Sequence, residues 1–265
     1  MVAFVYVTGR SEKEVDGEVP GTIYATAREV TDAGGQGIAV RCDHADDAQV
    51  KALFDQVIAE QGRVDMLVNN ACWQGDALTS VSGQFWEKSL DCAQMLNVGA
   101  RSGFVASWYA APHMVGQGKG LVLFTSSPGS MHYCMGPSYG AHKAAVDKMA
   151  FDMGVDFADA GANVAAVSVW MGSLTTERLQ GMMEAMPALR EQLEGSLESA
   201  GYTGHVAWAM FNDPQMFAKF NGRTVVGAEV GKDYGITDIA GRLPPSVRVG
   251  TGASPPQYAP YKVKM

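Results

Sequence analysis

The sequence predicts an α/β fold in which a mostly parallel sheet is doubly wound by helices within a single domain. Short runs rich in β-branched residues alternate with longer segments of helical periodicity, which is typical of successive βαβ units. The 265 residues are 47% hydrophobic and 18% charged. This is enough apolar material for one large core, whereas a disordered chain would carry much less.

The elements follow one another in a regular order. Strands are predicted at residues 3–7, 38–41, 66–68, 121–124, 164–169 and 224–226. Helices are predicted at residues 22–33, 46–61, 85–114, 139–160, 175–200 and 203–218. Asp46 is a typical N-cap for the second helix. Pro and Gly dominate from about residue 244, so we expect a domain at 1–243 and an extended or loosely ordered tail at 244–265.

Composition also excludes several functional classes. The net charge is −8, from 20 basic and 28 acidic residues, so neither nucleic acid nor anionic lipid is an expected partner. No apolar run approaches the ~20 residues of a membrane span, and the apolar start has no basic leader typical of a signal peptide. The four cysteines have no CxxC spacing, which argues against a zinc site. We expect a soluble, cytoplasmic protein without a metal.

The best chemical signal lies near the ends of predicted strands, where open parallel sheets bind their ligands. Tyr139 and Lys143 are one helical turn apart, so the ammonium should lower the pKa of the phenol from ~10 toward neutrality. Tyr139 could then act as a general acid or base. Ser126 follows a strand and could hydrogen-bond a substrate oxygen. Asn97 could break its helix locally and hold a water relayed to Lys143.

Together with Asn69-Asn70-Ala71 after the third strand, these residues resemble the short-chain dehydrogenase/reductase family over nearly the whole chain. Segments 8–11, 126–129 and 233–238 resemble one branch of it. The resemblance implies a Rossmann-like fold and hydride transfer between NADP(H) and a carbonyl compound or secondary alcohol. It also implies a catalytic tetrad, formed by Asn97, Ser126, Tyr139 and Lys143.

The resemblance further implies a set of cofactor-binding residues: Arg10, Ser11, Asp43, Asn70, Tyr139, Lys143 and Thr175. Within this set Asp43 would meet the adenine and Asn70 would line the cofactor cleft. Arg10 would pair with a ribose 2′-phosphate, because a cation suits a phosphate whereas a carboxylate suits a free diol. We therefore expect NADP rather than NAD.

Two features depart from the family pattern. Aligned on Arg10, the chain begins at the family's second strand, so the first strand, its glycine-rich turn and the first helix are missing. Because that first strand is central, we expect two unpaired edges in the sheet. Either strand 3–7 moves over to pair across the gap, or another segment or chain fills it, and the pyrophosphate site is poorly formed. The second departure is Trp170-Met171-Gly172, where the family usually has Pro-Gly.

A competing interpretation is a catalytically impaired or cofactor-free family member that serves as a structural subunit. The resemblance implies dimers or tetramers, built on the helices that carry Asn97 and Tyr139, with a second copy or a related full-length subunit as partner. Small residues would allow close helix packing, namely Ala106, Ala110, Ala111, Ala144 and Ala145. Aromatic residues suggest an apolar pocket for a small carbonyl or alcohol substrate, namely Trp73, Trp86 and Trp170.

Overall fold

A computed structural model describes residues 3–13, 21–75, 83–259 and 262. The strands are β1 (Phe4–Gly9), β2 (Gln36–Arg41), β3 (Met66–Asn69), β4 (Gly120–Ser126), β5 (Val164–Trp170), β6 (Ser173–Leu174), β7 (Leu197–Glu198) and β8 (Arg223–Val226). The helices are α1 (Ile23–Asp32), α2 (Asp47–Gln61), α3 (Ser102–Gln117), α4 (Pro137–Asp159), α5 (Glu177–Ala185), α6 (Pro187–Leu193), α7 (Ala200–Asn212), α8 (Met216–Phe220), α9 (Gly227–Asp233) and α10 (Val247–Thr251).

The central sheet has the order β3-β4-β5-β8, and all of its pairs are parallel. Every residue of β4 and β5 is buried, because helices cover both faces of a doubly wound sheet. α2, α3 and α4 contribute to the core on one face, and α7 and α8 contribute to it on the other. The predicted single-domain α/β fold is therefore confirmed.

β1 and β2 form a separate two-stranded parallel sheet. Within the described residues, β1 pairs only with β2 and β3 pairs only with β4, so strand 3–7 does not pair across the gap and that expected repair is wrong. In the hydrogen-bond ladder between β1 and β2, the backbone carbonyls of Ala3 and Gly9 accept hydrogen bonds from the β2 side. Because backbone groups alternate in direction along a strand, the even-numbered residues between them turn their N–H and C=O groups away from β2. Phe4 and Val68 are 47% and 46% exposed. That another segment or chain fills this gap stays a prediction.

The helix predicted at 85–114 is interrupted. A 3₁₀ turn covers Leu90–Ala93, a π-type turn covers Leu96–Arg101, and the α-helix begins only at Ser102. Gly99 has φ +149°, which favours glycine. The carbonyl of Val98 leaves the helical ladder and accepts the N–H of Trp73 at 2.8 Å. The predicted local break at Asn97 is confirmed, but residues 85–89 are not helical.

Two further predictions need correction. The segment predicted as one helix at 175–200 instead contains α5, α6, a 3₁₀ turn and β7. α5 and α6 are separate because a proline at position 187 disfavours helical geometry in the residue before it. The tail, predicted to be extended, contains α10 and returns to the domain: Val247 packs near Trp170, and the Tyr258 ring lies 5.1 Å from that of Phe151. None of the described helices is long and apolar enough to cross a bilayer.

Candidate active site

The centre of the site is a hydrogen bond between Tyr139 and Ser127. Tyr139 lies in the first turn of α4, and its Oη is 2.8 Å from Ser127 Oγ. Ser127 directly follows β4, and its side chain also accepts the N–H of Gly129. A Cβ on Gly129 would lie 2.5 Å from the Tyr139 ring, so only glycine fits there without a shift. The loop after β4 therefore brings one hydroxyl to the phenol.

Ser126, which we predicted to hydrogen-bond a substrate oxygen, lies beside the backbone of Lys143. Its side chain is fully buried, and Oγ lies 3.5 Å from the backbone carbonyl of Lys143. Successive side chains of a strand point to opposite faces of the sheet, so two adjacent serines at a strand end direct their hydroxyls to different sides. The structure instead places Ser127 beside Tyr139. In the sequence, the position of Ser127 directly after Ser126 is the signal from which this second serine could have been considered.

Lys143 is buried one turn after Tyr139, as the spacing predicts. Its Nζ donates to the carbonyl of Thr125 at 3.1 Å and lies 5.5 Å from the centre of the Tyr139 ring. Burial lowers the pKa of Lys143, and the charges of Cys72 and Asp147 oppose that shift. The ammonium is thus held close to the phenol without a hydrogen bond to it.

The pKa of Tyr139 is raised to about 12, mainly because burial penalises the phenolate. The hydrogen bond with Ser127 favours the phenolate, whereas the charges of Cys134 and Cys72 disfavour it. The expected fall toward neutrality is therefore wrong for this arrangement, in which the lysine ammonium is directed to Thr125. At neutral pH Tyr139 is an uncharged phenol, which is suited to donating a proton.

Asn97 lies at the π-type turn before α3, and its Nδ2 is 3.4 Å from Gln94 Oε1. The turn brings Gly99 against the ring of His142, where an added Cβ would be 2.9 Å from Cε1. His142 is itself buried. Burial and the Lys143 charge lower the pKa of His142 to about 3, so its ring is neutral.

The predicted cofactor residues lie at several strand ends. Arg10 and Asp43 follow β1 and β2 and form an ion pair at 3.8 Å, and Ser11 is exposed beside Arg10. Asn70 follows β3, and its Oδ1 accepts from Thr125 Oγ1 at 2.9 Å. Thr175 follows β6, and its N–H and hydroxyl both donate to the backbone carbonyl of Glu198.

Comparison with known proteins identifies the family of this chain. A model of the short chain dehydrogenase family matches residues 16–186. The chain belongs to this family. Mouse and human proteins named dehydrogenase/reductase SDR family member 1 are each 34% identical to this short-chain dehydrogenase over 250 residues, which cover 91% of the chain and 76% of the relatives. The chain therefore belongs to a family of oxidoreductases.

Solved structures confirm the fold of this short-chain dehydrogenase. A putative dehydrogenase from Xanthomonas campestris superposes with a TM-score of 0.73 at 24% identity, covering 93% of this chain and 88% of its own. A 7α-hydroxysteroid dehydrogenase complexed with NADH and 7-oxo glycochenodeoxycholic acid gives 0.64 at 24% identity, covering 77% and 78%.

Proposed function

We propose that this short-chain dehydrogenase transfers hydride between NADP(H) and a carbonyl compound or secondary alcohol. The observation that carries the proposal is the 2.8 Å contact between Tyr139 Oη and Ser127 Oγ, with Lys143 buried one turn further along α4. A neutral phenol and a hydroxyl at this distance can both donate to one carbonyl oxygen. The NADP(H) cofactor, when bound, supplies or accepts the hydride.

Each residue then has a distinct role. Tyr139 Oη gives its proton to the substrate oxygen, and Ser127 Oγ hydrogen-bonds the same oxygen. The Lys143 ammonium stabilises the phenolate that forms when the proton leaves, because an opposite charge nearby favours the ionised form. Asn97 and the turn it begins hold a water that returns the proton. Ser126 supports the Lys143 backbone, so we assign Ser127, rather than Ser126, to the tetrad.

The two ends of the cleft suit a dinucleotide. Arg10, beside Ser11 and Asp43, offers an exposed cation for a ribose phosphate at one end. Asn70, Tyr139, Lys143 and Thr175 would hold the other end of the dinucleotide. The residues between them fit less well, because no glycine-rich turn opens a helix beside β1 among the described residues. The proposed affinity for the dinucleotide therefore comes from the residues that bind its two ends.

We expect NADPH to bind about tenfold to a hundredfold more tightly than NADH. A charge-assisted contact from Arg10 to the 2′-phosphate contributes roughly 1.5–3 kcal/mol, which corresponds to that ratio. Arg10→Ala should abolish the preference, whereas Arg28→Ala, an exposed arginine on α1, should leave it unchanged. Titration of the purified protein with each cofactor measures both dissociation constants. Equal constants, or tighter NADH, would refute the assignment of Arg10.

A second candidate function is that of a structural subunit without catalytic activity. The separation of β1-β2 from the central sheet favours it, because the unpaired edges lie where a cofactor cleft would need a continuous sheet. The same titration separates the two candidates: a structural subunit binds neither dinucleotide and turns over no carbonyl compound.

We also propose that the protein forms dimers or tetramers, with a second copy or a related full-length subunit, in the cytoplasm. α3 exposes Phe104 and Trp108, which are 51% and 62% accessible. Of the alanines that we expected at the partner surface, Ala106 and Ala110 are buried in the core, whereas Ala111, Ala144 and Ala145 are only partly buried, so a contact through those three stays a prediction. The exposed aromatic rings, rather than the small residues, are the contact surface that α3 offers.

The aromatic residues expected in a substrate pocket are divided between the core and the surface. Trp170 is fully buried. Trp86 is exposed at a cavity of about 530 Å³, together with Phe85 and Tyr133. Pro137 and Ser138, just before Tyr139, form part of the same cavity. We propose that the small carbonyl or alcohol substrate has an apolar body, in keeping with these walls.

A further inference from the structure

Glu198 is a buried carboxyl group at the end of β7 that the proposed proton transfer does not use. Its Oε2 accepts the N–H of Gly172 at 2.9 Å. Its backbone carbonyl accepts both the N–H and the hydroxyl of Thr175, at 2.8 Å and 3.1 Å. Gly172 and Thr175 flank β6 in the connection from β5 to α5, so one residue hydrogen-bonds both ends of the loop 172–175.

This loop begins beside the candidate active site. Met171 donates its N–H to the backbone carbonyl of Ser126 at 3.3 Å, next to Ser127. The family resemblance predicts Pro-Gly here, and a methionine does not restrict the backbone as proline does. A Cβ on Gly172 would lie 2.6 Å from Glu198 Cδ, so only glycine allows the carboxyl group to approach this closely. The contact between Gly172 and Glu198 therefore restrains the backbone where proline is absent.

Glu198 is itself held by the core of the domain. In the parallel pair of β6 and β7, Leu174 lies opposite Glu198. The next residue, Ser199, donates its N–H and its hydroxyl to the carboxyl group of Asp238, at 2.8 Å and 2.5 Å. Ser199 also caps α7 by accepting the N–H of Tyr202, which is part of the hydrophobic core. Glu198 is thus a fixed point for the loop 172–175.

The segment between Thr175 and Glu198 contributes little to the position of this loop. It contains α5 and α6, both of which the structure describes in full, and Met183 is the one buried residue of these two helices. Segments with few buried apolar contacts open locally at a low cost in free energy. The hydrogen bonds to Glu198, rather than the packing of α5 and α6, therefore hold residues 172–175 in place.

The contact does not depend on the charge of Glu198. Burial raises the pKa of this carboxyl group, and the hydrogen bond from Gly172 opposes that shift. A carboxylate and a carboxylic acid both retain oxygen lone pairs that accept an N–H. Among the described residues Glu198 Oε1 has no hydrogen-bond partner. Glutamine, with an amide nitrogen in the place of Oε1, therefore keeps the bond to Gly172 and loses no other.

We propose that Glu198 is a positioning residue for the cofactor: its carboxyl group and its carbonyl hold residues 172–175 in the conformation that presents Thr175 to the dinucleotide. The Thr175 hydroxyl donates to the Glu198 carbonyl and keeps its lone pairs, so it can accept from the carboxamide of the nicotinamide. The effect on the cofactor rests on the proposed function, whereas the effect on the loop does not.

The first test is the exchange rate of the Gly172 amide hydrogen. With ¹³C-carbonyl methionine and ¹⁵N-glycine, only the three Met-Gly pairs of the chain give coupled NMR signals, from Gly136, Gly154 and Gly172. Gly172→Ala assigns the third signal. Glu198→Ala removes one hydrogen bond and should speed exchange at Gly172 by about tenfold, while Gly154 inside α4 stays unchanged. Glu198→Gln should leave both rates unchanged, as should Glu194→Ala, which removes an exposed carboxyl group of the same segment.

The second test is steady-state oxidation of NADPH. Glu198→Ala should raise the KM for NADPH about tenfold, while kcat and the KM for the carbonyl substrate change by no more than about threefold. Glu198→Gln should retain the wild-type KM. Gly172→Ala, whose Cβ displaces the carboxyl group, should raise the same KM and serves as the test if Glu198→Ala does not fold.

Unchanged exchange at Gly172 in Glu198→Ala would overturn the proposal. A wild-type KM for NADPH in a variant whose Gly172 exchanges faster would also overturn it, because the loop would then not position Thr175. Faster exchange at Gly172 in a protein that binds no NADPH would confirm the hold on the loop and refute only the proposed function.

Discussion

Replacing Ser127 by alanine is expected to lower kcat for carbonyl reduction by about a hundredfold to a thousandfold. Its hydroxyl lies 2.8 Å from Tyr139 Oη, so it can share the substrate oxygen with the phenol. Removing one well-placed donor of this kind costs about that factor. The neighbouring substitution Ser126→Ala removes a 3.5 Å contact with the Lys143 carbonyl and a hydrogen bond to Asp147, and kcat should change by no more than severalfold.

The two variants form a matched pair, because both delete one hydroxyl at the end of β4. Steady-state NADPH oxidation with an active carbonyl substrate measures kcat, and circular dichroism confirms that both variants are folded. Tyr139→Phe provides the reference for loss of the proton donor. If Ser126→Ala proved the inactive variant and Ser127→Ala the active one, the serine assignment from the sequence would be restored and ours would be wrong.

The 265-residue chain is expected to bind NADPH about a hundredfold more weakly than the same chain extended by a family-like strand, glycine turn and helix. Among the described residues, β1 and β3 each have one unpaired edge, and no helix there opens on a glycine turn at the pyrophosphate position. Two charge-assisted bonds from backbone N–H groups to a pyrophosphate, at roughly 1.5 kcal/mol each, account for that factor. Fluorescence titration of both proteins measures the difference.

A matched control separates the strand from the turn. An extended protein whose turn glycines are replaced by aspartate can still fill the gap in the sheet, but its side chains block the pyrophosphate. We expect it to unfold at a higher temperature than the 265-residue chain while binding NADPH no better. Micromolar binding and ordinary turnover by the 265 residues alone would contradict the prediction, and would show that the Tyr139 end supplies most of the cofactor affinity.

Much of the fold follows from local sequence. Asp46 caps α2 as its residue type predicts, accepting from the N–H groups of Ala48 and Gln49. The buried strands β4 and β5 each contain a run of four apolar residues, at 121–124 and 164–167, which is typical of strands covered on both faces. Lys143 falls one turn after Tyr139 because helical periodicity alone dictates that spacing. Such features depend on residues that are close in sequence, so they can be predicted without knowledge of the tertiary contacts.

Other features depend on contacts between distant segments. Whether Ser126 or Ser127 meets Tyr139 depends on how β4 ends against α4, and two adjacent serines look alike in a sequence. The burial of His142 depends on the turn at Gly99, and the raised pKa of Tyr139 depends on how much water the folded site excludes. The burial of Asp147 on α4 likewise depends on hydrogen bonds from β5, whose residues are more than twenty positions away. The sequence alone therefore determined the family, the order of elements and the tyrosine–lysine spacing. Only tertiary packing decided which hydroxyl lies beside Tyr139 and how far the site excludes water, because side-chain direction and dielectric environment arise when strands and helices meet.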